Sequence, residues 1–169
     1  MKLRTLLAVS SIITLLYQPV RAQEYGTAVG VRLGSLTAGF NVKTFLNTSG
    51  AIEGIVGIGH HSVTITGLYE KDHPIHSAEG LNWYVGAGAH VGFFDHHGTY
   101  LRYKYKDEKY YVYHDEDNAV VPGVDVIIGL EWKIPRAPLT LGVDLKPQID
   151  FHHGAHSYFD AAFNVRYIL

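Results

Sequence analysis

The residues of this 169-residue chain best able to do chemistry are its eleven histidines, which occur with no cysteine at all. Eight of them cluster in sequence: His60 and His61, then His96, His97 and His114, then His152, His153 and His156. Imidazole is a favoured ligand for zinc and copper, and a site assembled from several loops can reach tetrahedral or square geometry without thiolates. Asp95, Asp115 and Asp117 could complete such a site or orient its rings. Against metal capture, neighbours such as His152 and His153 point to opposite sides of any extended segment, and no close-set helical pair of ligands is present. Histidine is then simply a tolerated loop residue, and both readings stay open. His61-Ser62 and His156-Ser157 bring a base and a nucleophile together in sequence. Adjacency in a strand again sends the two side chains to opposite faces, so neither pair is a ready base and nucleophile, and no enzyme is expected.

A third feature is the stretch from Asp95 to Asn118, where six tyrosines from Tyr100 to Tyr113 interleave with Arg102, Lys104, Lys106 and Lys109 around Asp107-Glu108. Tyrosine supplies contact area at low entropic cost, which suits an adhesive surface for an extracellular protein or glycan. The plainer reading is a solvated hairpin whose tyrosines support β structure.

Composition limits what can position these groups. With 47% hydrophobic and 18% charged residues the chain is too apolar for disorder, and its apolar runs are too interrupted for a helical membrane protein. The absence of cysteine rules out a disulfide scaffold and a thiolate zinc site. A formal charge of −2 gives nucleic-acid binding no electrostatic support. At the N-terminus Lys2 and Arg4 precede the apolar stretch Leu6 to Tyr17, and Val20-Arg21-Ala22 places small residues before a cut at Gln23. Residues 1–22 read as a secretory signal peptide and 23–169 as one β-barrel domain.

From Gln23 onward the hydrophobic period is two, which predicts eight strands near 24–33, 36–46, 51–59, 62–71, 81–94, 119–133, 138–150 and 158–169. Such alternation fits a soluble barrel with an apolar core or a membrane barrel with an apolar exterior. The second face decides between them. It repeatedly carries glycine, as at Gly30, Gly39, Gly57, Gly86, Gly88, Gly92, Gly123, Gly129 and Gly142, where a water-exposed face would carry polar side chains. Inside a narrow barrel, glycine makes room for the few long side chains that share the lumen. Those are expected to be Arg32, Lys43, Lys133, Lys146 and Arg166 against Glu53, Glu70, Asp125, Glu131, Asp144, Asp150 and Asp160, a mixed-sign network filling a polar lumen.

Aromatic placement agrees with an exterior in lipid. Tyr25, Tyr69, Trp83, Trp132 and Tyr167 share the outward parity and fall near one edge, as a girdle at a membrane interface does. Phe93 and Phe159 supply the opposite rim. With both termini in the periplasm, residues 47–50 and 134–138 make short periplasmic turns and 72–80 a longer one. The histidine-bearing connections and the tyrosine-rich stretch then lie outside.

Three runs carry a resemblance that extends over the whole chain after residue 22: Leu81-Asn82-Trp83-Tyr84-Val85-Gly86-Ala87-Gly88-Ala89-His90, Ile127-Ile128-Gly129-Leu130-Glu131-Trp132, and Asp144-Leu145-Lys146-Pro147. The sequence resembles the small eight-stranded outer-membrane β-barrel proteins of Gram-negative bacteria. The resemblance implies an all-β antiparallel transmembrane barrel, outer-membrane lipid around it and the barrel-assembly machinery as a partner during biogenesis. Its C-terminal strand resembles the signal that machinery reads but ends in Leu169 instead of an aromatic residue. Barrels of this kind include lipid A acyltransferases and deacylases, which would be the enzymatic alternative. The expected role is non-enzymatic, with metal or small-ligand binding at the histidine-rich mouth as the alternative.

Overall fold

The computed structural model describes residues 26–59, 62–94, 100–101, 112–113, 119–151 and 155–169. Its strands are β1 (Thr27–Gly34), β2 (Ala38–Phe45), β3 (Gly50–Gly59), β4 (Ser62–Pro74), β5 (Leu81–Phe94), β6 (Tyr100–Leu101), β7 (Val112–Tyr113), β8 (Ala119–Lys133), β9 (Leu139–Phe151) and β10 (Ala155–Ile168). Eight of them close into an antiparallel barrel in the order β1-β10-β9-β8-β5-β4-β3-β2. β6 and β7 form a separate two-stranded ribbon, pairing Tyr100 with Tyr113 in a register that continues that of β5 with β8.

The pairing fixes the barrel's geometry. A row of partners runs from Val29 through Val42, Gly54, Gly67, Ala89, Val124 and Ile149 to Ser157 on β10. Val29 also pairs with Tyr167, so the row returns to β10 ten residues from where it closes. A stagger of ten across eight strands, with the usual spacings along and between strands, tilts the strands by about 41° and gives a radius of about 8 Å. That is the tilt of membrane-spanning barrels, and a lumen of this width is just filled by side chains.

Burial is inverted relative to a soluble domain. Phe159 is 73% exposed, Phe40 68% and Val126 50%, while Arg166, Lys43 and Glu53 are 0% exposed inside the barrel. Apolar side chains on one strand parity thus make the outer wall, and polar ones on the other make the core.

The glycines of the inner face act by their size. A Cβ on Gly129 would lie 2.5 Å from the Tyr84 ring, and one on Gly123 would lie 2.2 Å from the His90 ring. These two large rings therefore fit only because the facing strand has no side chain there.

Several sequence-based boundaries shift. β1 covers 27–34, one residue past the expected end at 33, while 24 and 25 of the expected 24–33 lie outside the described residues; β2 covers 38–45 instead of 36–46. β4 continues to Pro74, because Asp72 turns inward onto Lys43 and His73 stacks on Trp83 across the β4–β5 ladder. The expected turn 72–80 therefore shortens to 75–80. β10 begins at Ala155 instead of 158, with His156 opposite Asp150. The lumen is also not wholly polar. Ile55, Leu68, Tyr84 and Ile127 form a buried apolar cluster on the β3–β4–β5–β8 side, which explains why Ile127 interrupts the small and polar pattern of its strand face.

Candidate functional site: the charged lumen and the two rims

Each inward charge is set by strand parity, and pairing across the lumen follows from the narrow radius. Near the turn end, Arg166 on β10 donates to Glu131 of β8 at 2.5 Å and to Glu53 of β3 at 2.6 Å. Asn41 donates to Glu53 at 2.6 Å and to the Asn164 carbonyl at 3.2 Å. Asn164 in turn donates to Asp144 at 2.5 Å. Arg32 spans Asp144 and Asp160 at 2.6 and 2.5 Å, and Asp160 also accepts from Ser35 Oγ and the Leu36 amide, which ties the first loop-end turn to β10. Lys43 lies 2.8 Å from Asp72 and 3.0 Å from Glu70, with its ammonium 4.4 Å from the centre of the Tyr84 ring.

A second group lies toward the loop end. Lys146 donates to Asp125 at 2.9 Å and to Gln148 at 2.8 Å. His90 has Nδ1 2.8 Å from Asp125 and Nε2 3.0 Å from Asp150, so each ring nitrogen faces a carboxylate. All eight lumen residues singled out from the sequence (Arg32, Lys43, Glu53, Asp125, Glu131, Asp144, Lys146, Arg166) are 5% exposed or less. Sequence reasoning overlooked Asn41, Asn164, Asp72 and His90 as members. Parity could have found all but Asp72, since Asn41 sits two residues from Lys43, Asn164 two from Arg166, and His90 between Gly88 and Gly92.

Buried carboxylates outnumber fixed cations among the described residues. Glu53, Glu70, Asp72, Asp125, Glu131, Asp144, Asp150 and Asp160 face Arg32, Lys43, Lys146 and Arg166, with His90 between two of the acids. Such a network holds the wall strands together, and among the described residues its members occupy the lumen themselves. Its histidine offers no activated nucleophile, since both nitrogens are taken by carboxylates.

At the turn end, Tyr69, Trp83, Trp132 and Tyr167 all point outward and are 39–52% exposed; Tyr25 lies outside the described residues. Phe93 and Phe159 are exposed toward the loop end. His60, His61, His96, His97, His114, His152 and His153 also lie outside the described residues, whereas His156 is half-buried on β10. The connections carrying them all join strand ends at the loop end of the barrel. Among the described residues no group of three or more histidine or acidic side chains is arranged to hold a metal ion.

The sequence matches no protein-family model and no curated protein. Its structure is similar to the crystal structure of Neisserial surface protein A (NspA), with a TM-score of 0.52 at 9% sequence identity, covering 85% of this chain and 94% of that one. The two share a fold. At this identity the likeness extends to the closed eight-stranded barrel and not to any ligand.

Proposed function

We propose that this chain is an outer-membrane β-barrel of a Gram-negative bacterium, with both termini in the periplasm, that displays its long connections at the cell surface. The observation that carries this reading is the inverted burial: an apolar wall outside and an ion-paired network inside a closed barrel. A wall bearing Phe40, Val126 and Phe159 this exposed would aggregate in water, while lipid solvates it and closure leaves no unpaired backbone edge. The likeness to a Neisserial surface protein supports the same compartment. Residues 1–22 are then a signal peptide removed on export, and the barrel-assembly machinery inserts the chain.

In this reading the role is non-enzymatic, which the likeness to a surface protein supports. The tyrosine-rich segment 95–118 serves as an adhesive surface for protein or glycan. The test of compartment is cell fractionation followed by electrophoresis of boiled and unboiled outer membranes. The barrel should migrate anomalously until boiled; recovery only in soluble fractions, or identical migration in both lanes, would overturn the reading. A second reading, zinc or copper capture at the loop-end mouth, is favoured by the gathering of seven histidines on the connections at that end, with His156 near the start of β10 beside them.

A further inference from the structure

We propose that the outer wall holds one zwitterionic aminophospholipid, its headgroup at the turn end and one acyl chain in a groove that climbs across β8, β9 and β10. The inference rests on the reading that this wall lies in lipid. The groove has a volume of about 640 Å³, and the register explains its shape. Its lower bank is one row of laddered partners, Trp83, Leu130, Val143, Phe163 and Leu33. The upper bank is the next outward row, Ile128, Leu145 and Ala161. Between them runs the backbone of Gly129, Asp144 and Ala162; the Asp144 and Ala162 side chains point into the lumen and Gly129 has none, so the floor is bare main chain. Ala161 keeps the upper bank low where the groove crosses β10.

Four inter-strand steps make the groove about 19 Å long, and its inclination of about 41° makes it rise about 13 Å. That is about half of a 25 Å apolar band, the reach of a chain entering at one interface and ending at the bilayer middle.

The lower end of the groove is where a headgroup would sit. Trp83 begins it, braced by His73 at 4.4 Å between ring centres. Three residues further toward the turn end, about 10 Å along the strand, the Lys133 amide donates to Gly80 O, and a second cleft of about 510 Å³ lies there. Glu79, Gly80, Lys133, Pro135 and Arg136 line it. Arg136 is exposed at the tip of its turn in a left-handed conformation, φ 66°, and Glu79 is exposed beside it. A guanidinium suits a phosphate and a carboxylate suits an ammonium, so one cleft offers both charges of an ethanolamine headgroup. Trp132, between cleft and groove, is an aromatic side chain of the kind that settles at the glycerol level.

The experiment folds the full-length mature barrel into vesicles of equal phosphatidylethanolamine and phosphatidylglycerol, extracts it in mild detergent and counts retained lipid by native mass spectrometry. The parent should keep one phospholipid with at least threefold preference for the ethanolamine lipid. Glu79→Gln should abolish the preference, and Arg136→Gly, which tolerates the left-handed turn, should lower retention of both lipids at least fivefold. Ala161→Phe, which fills the groove on the lipid side, should lower retention similarly without changing headgroup preference. Retention in proportion to the vesicle mixture, or retention unchanged in all three variants, would overturn the lipid site while leaving the membrane reading intact. Failure of the parent to show an unboiled folded band in the same vesicles would overturn both.

Discussion

Replacing Arg166 by Met removes a buried cation that two strands depend on. The guanidinium is fully buried and donates to Glu131 at 2.5 Å and to Glu53 at 2.6 Å. Two charge-assisted bonds at about 1.5–3 kcal/mol each give about 3–6 kcal/mol, which agrees with the about 3–5 kcal/mol lost when one partner of a buried ion pair is deleted. The acid excess pushes toward the upper part of that range. With Arg166 gone, eight buried carboxylates face three fixed cations, and Glu53 and Glu131 lose their shared donor on opposite sides of the barrel. The measurement is the urea midpoint of the folded band on unboiled gels, in liposomes of fixed composition. Arg166→Met should destabilise by about 3–5 kcal/mol, and adding Glu131→Gln should recover part of that loss because it removes one uncompensated charge. A loss below about 1 kcal/mol, or strict additivity of the two substitutions, would refute the argument that the lumen pairs are coupled.

Three further outcomes follow from the two faces of β8 and from the mouth. Val126→Arg puts a charge on the lipid side and should cost about 2–4 kcal/mol near the midplane, whereas Val126→Leu should be close to neutral; equal urea midpoints for Arg and parent would place Val126 away from lipid. Gly129→Ala should destabilise by about 1–3 kcal/mol through overpacking, since its Cβ would meet the Tyr84 ring at 2.5 Å and Val143 O at 2.7 Å; Gly129→Ala combined with Tyr84→Leu should recover only part of it on the same gels, because the Val143 carbonyl stays in place. If the mouth captures metal, calorimetric zinc binding to the folded barrel should weaken below about pH 6 as imidazole gains a proton, and be lost when His96, His97, His152 and His153 are replaced together. Binding unchanged by that replacement would remove the metal reading.

The barrel was legible in the sequence because strand parity is a strict period of two and each face has its own chemistry. Val124, Val126, Ile128 and Leu130 against Asp125, Gly129 and Glu131 suffice to orient β8, and all fall where parity puts them. Less legible was anything that depends on partners distant in sequence. Asp72 looked like a turn residue because its neighbours His73 and Pro74 are not strand formers. Its inward role exists only because Lys43, 29 residues away, needs an acid there. His90 was hidden by the search for clustered histidines, since its two carboxylates lie on β8 and β9. Ile127 is apolar on the small and polar parity of its strand, and the reason exists only once barrel closure brings Ile55, Leu68 and Tyr84 against it. The groove on the outer wall was not legible at all, because its banks are rows across five strands whose register no local pattern encodes.

This barrel is inside-out, with lipid against one parity and the ion-paired core against the other. The absence of native cysteine makes a direct measurement clean. Single cysteines placed in turn from 124 to 130 on β8, spin-labelled in liposomes, report oxygen accessibility residue by residue. Accessibility should alternate with a period of two, high at Val124, Val126, Ile128 and Leu130 and low at Asp125, Ile127 and Gly129. Loss of the alternation, or greater access of a water-soluble relaxing agent than of oxygen at the even positions, would contradict it.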